Sequence, residues 1–177
     1  RTSDRIYTSY QGVTIARSED GGASHANAIS GLNDQVHFIM PYTIDRHAPD
    51  RLYAAGTRLW RSDNRGGQWR SVSSSFGTQF ADRLSALAIA PSDANRILLG
   101  NQVRILRSNA ALSSTNTTTW ASVAPRTGWV SSLAFDPVNA NIAYATYSTL
   151  GGIHVWRSQD GGATWSALDG NDSGRLP

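Results

Sequence analysis

The carboxylates of this chain are its main candidates for acid–base chemistry. Twelve are aspartates and one, Glu19, is a glutamate. Two carboxylates cleave a glycosidic bond when they face each other about 5 Å apart, or about 6.5–9.5 Å apart when water attacks directly. Most of the aspartates lie in short turns with Pro, Asn and Gly, where they are expected to bond the backbone. Asp34 and Asp82 precede predicted strands instead, and they are the two weak candidates for a catalytic acid or base.

Other kinds of catalytic and metal-binding chemistry are poorly represented. The chain has no cysteine, which excludes thiol catalysis and Cys-ligated zinc. The histidines His25, His37, His47 and His154 lack the spacing of metal ligands, so neither a metal nor a cofactor is expected. All 16 basic residues are arginine, but no cluster of four or more occurs, so no nucleic-acid partner is expected.

The elements that would position these residues recur about every 45 residues. Short apolar runs of similar sequence begin at Ile6, Leu52, Ile97 and Ile142. Each is followed by a second apolar run that ends in Arg-Ser, and the last three copies are preceded by a further strand-like run, at 36–44, 84–90 and 130–135. A full unit therefore predicts four short strands, which is the size of one propeller blade.

The predicted fold class is all-β, a β-propeller in the form of an incomplete arc of about 3.5 four-stranded antiparallel blades. A β-sandwich or β-helix would explain the strands but not the period. We expect a single domain over 1–177, divided into a partial blade 5–28, blades 36–72, 84–123 and 130–168, and a linker 169–177. The longest apolar run, 84–90, is too short to span a membrane and predicts a buried strand.

One turn motif follows the Arg-Ser pairs. Residues 158–165 read SQDGGATW, residues 62–69 read SDNRGGQW, and residues 18–25 read SEDGGASH. The third copy keeps only Ser108 and Trp120, with five extra residues between them, and predicts a longer and looser hairpin. The motif resembles the Asp-box, or BNR, repeat with the pattern Ser-x-Asp-x-Gly-x-Thr-Trp. The repeats that carry this resemblance cover nearly the whole chain. The chain is thus similar to sialidase, xyloglucanase and sortilin-like propellers.

The residues of this box are expected to have structural roles. A short Asp or Asn side chain accepts backbone N–H groups inside the turn, Gly supplies positive φ, and Trp packs a large ring against neighbouring strands. Calcium binding is disfavoured because each turn brings one or two carboxylates where a site takes six to eight oxygens. The predicted structural box residues are Ser18, Asp20, Gly22, Ser62, Asn64, Gly66, Trp69, Ser158, Asp160, Gly162 and Trp165.

The arginines of the Arg-Ser pairs, Arg17, Arg61, Arg107 and Arg157, recur once per unit. Such a set radiates outward, so we expect hydrogen bonds at strand ends and no converging cluster. Sialidases, which the motif also resembles, bind a carboxylate with an arginine cluster and carry an Arg-Ile-Pro segment. That segment and a suitable glutamate are missing from the sequence, and a sialidase is therefore disfavoured.

The loops on the side opposite the boxes are predicted to carry any ligand contact. They comprise 73–83 and 124–129 between blades and 10–13, 56–58, 100–103 and 147–152 within them. Aromatic and guanidinium groups in these loops suit contacts with protein or sugar. The candidate interaction face consists of Phe76, Phe80, Arg83, Arg126, Trp129 and Tyr147.

The predicted arc is too short to close, because propellers close with about four to eight blades. Open blade edges and apolar faces favour aggregation unless something covers them. We therefore expect either that the polypeptide continues or that other protein subunits cover the open edges.

The resemblance implies two functions. The favoured hypothesis is a non-catalytic scaffold or accessory subunit that binds protein in a larger complex, as sortilin-like receptors and photosystem assembly factors do. This complex could be membrane-associated, although no membrane-spanning segment is expected in the chain. The alternative is a fragment of a secreted, xyloglucanase-like glycoside hydrolase, with carbohydrate as its ligand. In both cases we expect an extracytoplasmic, periplasmic or secreted bacterial protein.

Overall fold

The computed structural model describes residues 4–169, and these residues form short strands, two 3-10 turns and no α-helix. The strands of the first two sheets are β1 Ile6–Ser9, β2 Ile15–Ser18 and β3 Ala26–Asn27, then β4 Tyr42–Ile44, β5 Leu52–Ala55, β6 Leu59–Ser62 and β7 Arg70–Ser71. Those of the last two sheets are β8 Ala86–Ala90, β9 Asp93–Gly100, β10 Ile105–Ser108 and β11 Ala121–Val123, then β12 Val130–Phe135, β13 Ala143–Tyr147, β14 Val155–Ser158 and β15 Ser166–Ala167.

Each sheet is an antiparallel meander in chain order. The first sheet has three strands and the other three sheets have four. The predicted all-β arc of about 3.5 four-stranded blades is thus confirmed. Equivalent strands pair in the same register, since Tyr53 lies opposite Arg61 as Tyr144 lies opposite Arg157.

Two local predictions need correction. The run 36–44 was expected to be one strand, but only Tyr42–Ile44 is extended within the sheet. Pro41 has no N–H group for a ladder bond, and Ile39 makes an isolated bridge to Gly12 of the first unit instead. The third hairpin is longer than the others, as expected. However, it is not loose, because it holds the 3-10 turn Ala111–Ser113 and Leu112 N donates to Asn95 Oδ1 at 3.3 Å.

The core consists of three apolar clusters, each between two consecutive sheets. Strand β5 shows how one sheet serves two of them, because all four of its residues are buried. Leu52 and Ala54 pack in the cluster toward the first sheet, whereas Tyr53 and Ala55 pack in the cluster toward the third. Alternating side chains of a strand point to opposite faces, so a strand with neighbours on both sides must be apolar throughout.

The two ends of the sheets differ in their turns. At the box end, turns of the SxDxG type lie against the turns that join the first two strands of a sheet. Arg65 N donates to Asp50 O and Gly161 N donates to Asn141 O, each at 2.8 Å. The boxes and the Asp/Pro turns therefore lie at the same end of the sheets. The opposite end carries the remaining loops and is called the loop end.

Candidate functional site

The box turn of the fourth sheet is closed by its own side chains. Ser158 Oγ accepts Gly162 N at 2.8 Å and donates to Asp160 Oδ1 at 2.8 Å. Asp160 also accepts Ala163 N and Thr164 N at Oδ1, and the Thr164 hydroxyl at Oδ2. Both carboxylate oxygens are therefore directed into the turn.

The same bonds recur in the first two units. Ser18 Oγ accepts Gly22 N at 2.8 Å and Ser62 Oγ accepts Gly66 N at 2.9 Å. The residue two positions after each serine, Asp20 or Asn64, accepts a backbone N–H four residues further on. An amide oxygen thus replaces a carboxylate without loss of these bonds, so the turn needs an acceptor and not a charge.

These bonds hold the two box aspartates ionised. Burial alone would raise the pKa of Asp160, but hydrogen bonds from Thr164, Ser158 and Ala163 lower it to about 2. The pKa of Asp20 is lowered mainly by the Ser24 hydroxyl and Ser24 N. Carboxylates with such low pKa values are poor proton donors or acceptors near neutral pH.

The tryptophans of the boxes pack toward the preceding unit. Trp69 is 2% exposed, joins the cluster between the first and second sheets, and donates from Nε1 to Ala28 O at 2.8 Å. Trp165 packs against the cluster between the third and fourth sheets. In the first unit the same position is His25, which is exposed.

Asp34, one of the two catalytic candidates, is fully engaged with the hairpin between β5 and β6. Its carboxylate accepts Arg58 N at 2.9 Å, Trp60 Nε1 at 2.8 Å and the Thr57 hydroxyl. Gly56 lies so close that a side-chain carbon there would be 2.6 Å from Asp34 Oδ2. Both carboxylate oxygens therefore hold the hairpin in position.

Asp82, the other catalytic candidate, ends the 3-10 turn Phe80–Asp82. Its Oδ2 accepts Gln79 N at 3.0 Å, and its Oδ1 lies 3.7 Å from Arg104 Nη2. Asp34 and Asp82 therefore accept their hydrogen bonds from different loops.

Two arginines of the Arg-Ser pairs, Arg17 and Arg61, join consecutive units. Arg17 Nη1 donates to Arg65 O of the second box turn at 2.7 Å. Arg61 Nη1 donates to Leu112 O at 2.9 Å and to Ala111 O at 3.4 Å in the third hairpin. These two arginines therefore have the predicted role in hydrogen bonding at strand ends.

An aromatic group at the loop end includes two residues of the predicted interaction face. The His37 ring lies 4.9 Å from Phe80 and 4.5 Å from Trp129, measured between ring centroids. Phe80 is 56% exposed and Trp129 is half-buried. His37 Nε2 bonds Arg83 O at 3.0 Å; burial, and secondarily the Arg83 charge, lowers the pKa of His37.

The arginines of this face bind carbonyl groups. Arg83 Nη1 donates to Val36 O at 2.9 Å, and its guanidinium carbon lies 5.1 Å from the centre of the Phe80 ring. Arg126 Nη1 donates to Ile153 O at 2.7 Å and stacks 5.4 Å above Tyr147. Because carbonyls do not neutralise a cation, both positive charges remain at the loop end.

Two members of the predicted face are not surface residues. Phe76 is 8% exposed and packs near Trp120, and Tyr147 is 3% exposed. Burial raises the pKa of Tyr147 to about 12, despite the nearby Arg126. The prediction of direct contacts by these two rings is therefore corrected: they hold the loops from inside.

Several exposed apolar residues at the loop end were missed. Tyr10 is 71% exposed, Phe38 73% and Ile39 59%. Gly12 N donates to Phe38 O at 2.9 Å, so the first hairpin lies directly beside this segment. The signal in the sequence was Pro41, which interrupts the run 36–44 and argues against a continuous strand.

The described part of the chain contains neither a metal-binding group of side chains nor a membrane-spanning helix. Within residues 4–169, no group of three or more His, Asp or Glu side chains could hold a metal ion. No helix within the same residues is long and apolar enough to cross a membrane.

Comparison with known proteins identifies the fold. The chain matches no protein-family profile and no curated protein sequence. Among solved structures, a GH74 enzyme from Niastella koreensis has a TM-score of 0.71 at 18% identity, covering 94% of this chain and 28% of its own. YCF48 from Cyanidioschyzon merolae has a TM-score of 0.65 at 19% identity, covering 93% and 56%. A GH74 xyloglucanase from Xanthomonas campestris has a TM-score of 0.63 at 18% identity, covering 93% and 28%.

These similarities define the fold as part of a β-propeller. The chain spans just over a quarter of the length of these two GH74 enzymes and just over half of YCF48. At such low sequence identity the likeness extends to the fold only.

Proposed function

We propose that this chain is a segment of a non-catalytic Asp-box propeller that binds protein through its loop end. It would act as a scaffold or accessory subunit of a larger, membrane-associated complex outside the cytoplasm of a bacterium. The extracytoplasmic location rests on the resemblance of the repeats alone. The observation that carries the proposal is the group of exposed apolar side chains at the loop end.

We define the loop face by five residues at this end: Tyr10, Phe38, Ile39, Phe80 and the half-buried Trp129. The bond from Gly12 N to Phe38 O joins the first unit to the second, and the His37 ring contacts both Phe80 and Trp129. Exposed aromatic side chains next to cationic groups are typical of the centres of protein interfaces. Exposed apolar side chains beside polar groups often mark an interaction site.

The alternative function is that of a xyloglucanase-like glycoside hydrolase, and the fold likeness to GH74 enzymes is its support. The described residues do not favour it. Asp34 accepts three side-chain or backbone donors of a hairpin, and Asp82 caps a turn. If the chain nevertheless hydrolysed xyloglucan, and Asp34→Asn or Asp82→Asn abolished hydrolysis while the fold was retained, the scaffold proposal would be wrong.

The proposal is tested by capture of partners from the envelope fraction of the source cell. The immobilised wild-type chain is compared with the variant Phe38→Ser, Ile39→Ser, Phe80→Ser, and captured proteins are quantified by mass spectrometry. Val138→Ser provides the matched control, because Val138 is 83% exposed in a turn at the box end. We expect the triple variant to lose the enriched partners and the control to keep them. Equal capture by all three proteins would contradict the proposal.

A further inference from the structure

The third hairpin, between β10 and β11, departs from the box pattern of the other three hairpins. It is five residues longer than a box hairpin, and its segment 113–116 reads SSTN. This segment lies beside strand β7 of the second sheet, and a cleft of about 480 Å³ lies between them. The cleft is lined by Arg61, Arg70, Ser71 and residues 112–116. None of these residues belongs to the loop face, so the cleft is a separate feature of the surface.

Two arginines form one wall of the cleft. The Arg70 side chain is 58% exposed and pairs with Asp63 Oδ2 at 2.9 Å, and the buried Arg61 pairs with the same oxygen at 3.2 Å. Arg51 pairs with both Asp63 and Asp45, so this group holds three positive and two negative charges. An exposed ion pair contributes little free energy, and Arg70 can therefore exchange Asp63 for an anionic ligand at low cost.

The opposite wall carries hydroxyl groups whose protons are already bonded. Ser113 Oγ and Ser114 Oγ both donate to Ala110 O, at 3.0 and 3.3 Å. A hydroxyl group has one proton to donate and two lone pairs that accept. These two oxygens are therefore acceptors for a donor that enters the cleft. One wall thus attracts an anion, and the other accepts hydrogen bonds.

The segment that carries these hydroxyl groups is fixed by further bonds. Thr115 N donates to Thr118 Oγ1 at 2.8 Å, and Thr118 N donates to Thr115 O at 3.0 Å. Ser74 N, which follows the second sheet, donates to Thr118 O at 2.9 Å, and Arg61 Nη1 donates to Leu112 O at 2.9 Å. The cleft is therefore formed in the free protein, and a ligand need not order the loop in order to bind.

We infer that this cleft binds a sugar residue that bears an acidic group. Arg70 binds the carboxylate or phosphate of the sugar, because the planar guanidinium matches the geometry of both anions. Ser113 and Ser114 accept bonds from the sugar hydroxyl groups, and the Asn116 amide can donate and accept. Among the described lining residues only Leu112 has an apolar side chain, which favours a polar ligand. The cleft volume is in the usual range for small-molecule sites. This inference is independent of the partner proposed for the loop face.

The test measures binding of four probes to the full chain by NMR titration of the backbone amides. Glucuronate and glucose 6-phosphate combine a sugar with a carboxylate or a phosphate, whereas glucose and inorganic phosphate each supply one half of this chemistry. We expect at least one charged sugar to bind about tenfold more tightly than both glucose and phosphate, with the shifted amides in Ser71 and 112–116. The tighter of the two charged sugars identifies the acidic group.

Three outcomes of these titrations would overturn the inference. Failure of both charged sugars to bind would exclude the proposed ligand class. Equal binding of glucose 6-phosphate and inorganic phosphate would show a site for an anion alone. Equal binding of glucose and both charged sugars would show that the arginines do not take part.

Arg70→Gln tests the anion contact without removing a buried side chain. We expect it to weaken binding of the charged sugar about tenfold, because a hydrogen bond from a charged donor is lost, and to leave binding of glucose unchanged. Arg65→Gln is the matched control, since Arg65 is also a half-exposed arginine paired with a carboxylate, Asp50 at 3.1 Å, but lies outside the cleft. Equal weakening by both substitutions would assign the effect to net charge and contradict the role of Arg70.

Ser113→Ala tests the hydroxyl wall. Ser113 is exposed, so the variant should keep the circular dichroism spectrum of the wild type. We expect binding of the charged sugar to weaken about threefold and binding of inorganic phosphate to stay unchanged. Thr119→Ala, at an exposed position of the same hairpin outside the cleft lining, should alter neither. Unchanged binding of the charged sugar by Ser113→Ala, or an equal effect of Thr119→Ala, would refute the contact with the sugar.

Discussion

The box end and the loop end differ in how regularly their bonds repeat from unit to unit. At the box end, arginines pair with carboxylates, as Arg51 does with Asp45 at 2.9 Å and Arg65 with Asp50 at 3.1 Å. At the loop end, Asp34 accepts N–H and O–H donors, and Arg83 donates to a carbonyl. The box turns repeat one set of bonds, whereas each loop is bonded differently. The box turns therefore have one structural role in each unit, whereas the loops differ from unit to unit and can carry contacts.

The largest expected loss of stability comes from a substitution at the box end. Trp69→Ala should lower the free energy of unfolding by about 3–5 kcal/mol, because it removes a buried ring and leaves Ala28 O without its donor. Urea denaturation monitored by circular dichroism measures the change. Phe80→Ala at the loop end is the control and should change stability by less than about 1 kcal/mol, because that ring is 56% exposed. Equal losses of stability in Trp69→Ala and Phe80→Ala would contradict the greater structural role of the box end.

A second substitution tests whether a loop-end carboxylate is structural. Asp34→Asn should lower the free energy of unfolding by about 1–3 kcal/mol, since an amide group cannot accept all the donors that the carboxylate accepts. Thermal unfolding of the two proteins provides the measurement. Asp82→Asn, with fewer donors, should have the smaller effect. Unchanged stability of Asp34→Asn would return this residue to consideration as a catalytic group.

The box turns should make stability sensitive to acid. The pKa of Asp160 is about 2 in the folded chain and 3.8 without the fold, so its contribution is fully present above about pH 4 and is lost as the pH falls toward 2. The lowered pKa of Asp20 acts in the same direction. Asp160→Asn should flatten the stability curve between pH 4 and pH 2 in urea titrations at fixed temperature.

The second box turn supplies the reciprocal variant, because it carries Asn64 at the equivalent position. Asn64→Asp should steepen the loss of stability over the same range of pH. If neither variant altered the dependence on pH, the bonds to these carboxylates would contribute nothing to the acid sensitivity of the fold.

The smallest expected effect concerns one strained position in the box end. Arg65 has φ of 64°, whereas its equivalents Gly21 and Gly161 are glycines with φ of 71° and 69°. Arg65→Gly should raise the free energy of unfolding by less than about 1 kcal/mol, because relief of the left-handed conformation slightly exceeds the loss of an exposed ion pair. Arg65→Ala loses the ion pair and keeps the strain, so its melting temperature should fall. A lower melting temperature for both variants would show that the ion pair outweighs the strain.

The sequence predicted most of the architecture and less of the candidate surface. The 45-residue period and the turn motifs were sufficient for the four sheets, because each unit carries the same apolar pattern and the same turn residues. The choice of Phe76 and Tyr147 as contact residues was wrong, since aromatic residues in loops can equally well point inward. Phe38 and Ile39 were assigned to a strand, because an apolar run looks the same whether it pairs in a sheet or lies exposed.

Local features follow directly from the amino-acid sequence: the strand and turn in each repeat, and the serine and aspartate that close each turn. These follow from bonds between residues fewer than ten positions apart. Contacts across units, such as those of Arg17 with the carbonyl of Arg65 or of His37 with Trp129, are visible only in the folded chain. Such contacts depend on how neighbouring sheets stack, and stacking is set by the summed packing of three apolar clusters, which no single motif encodes.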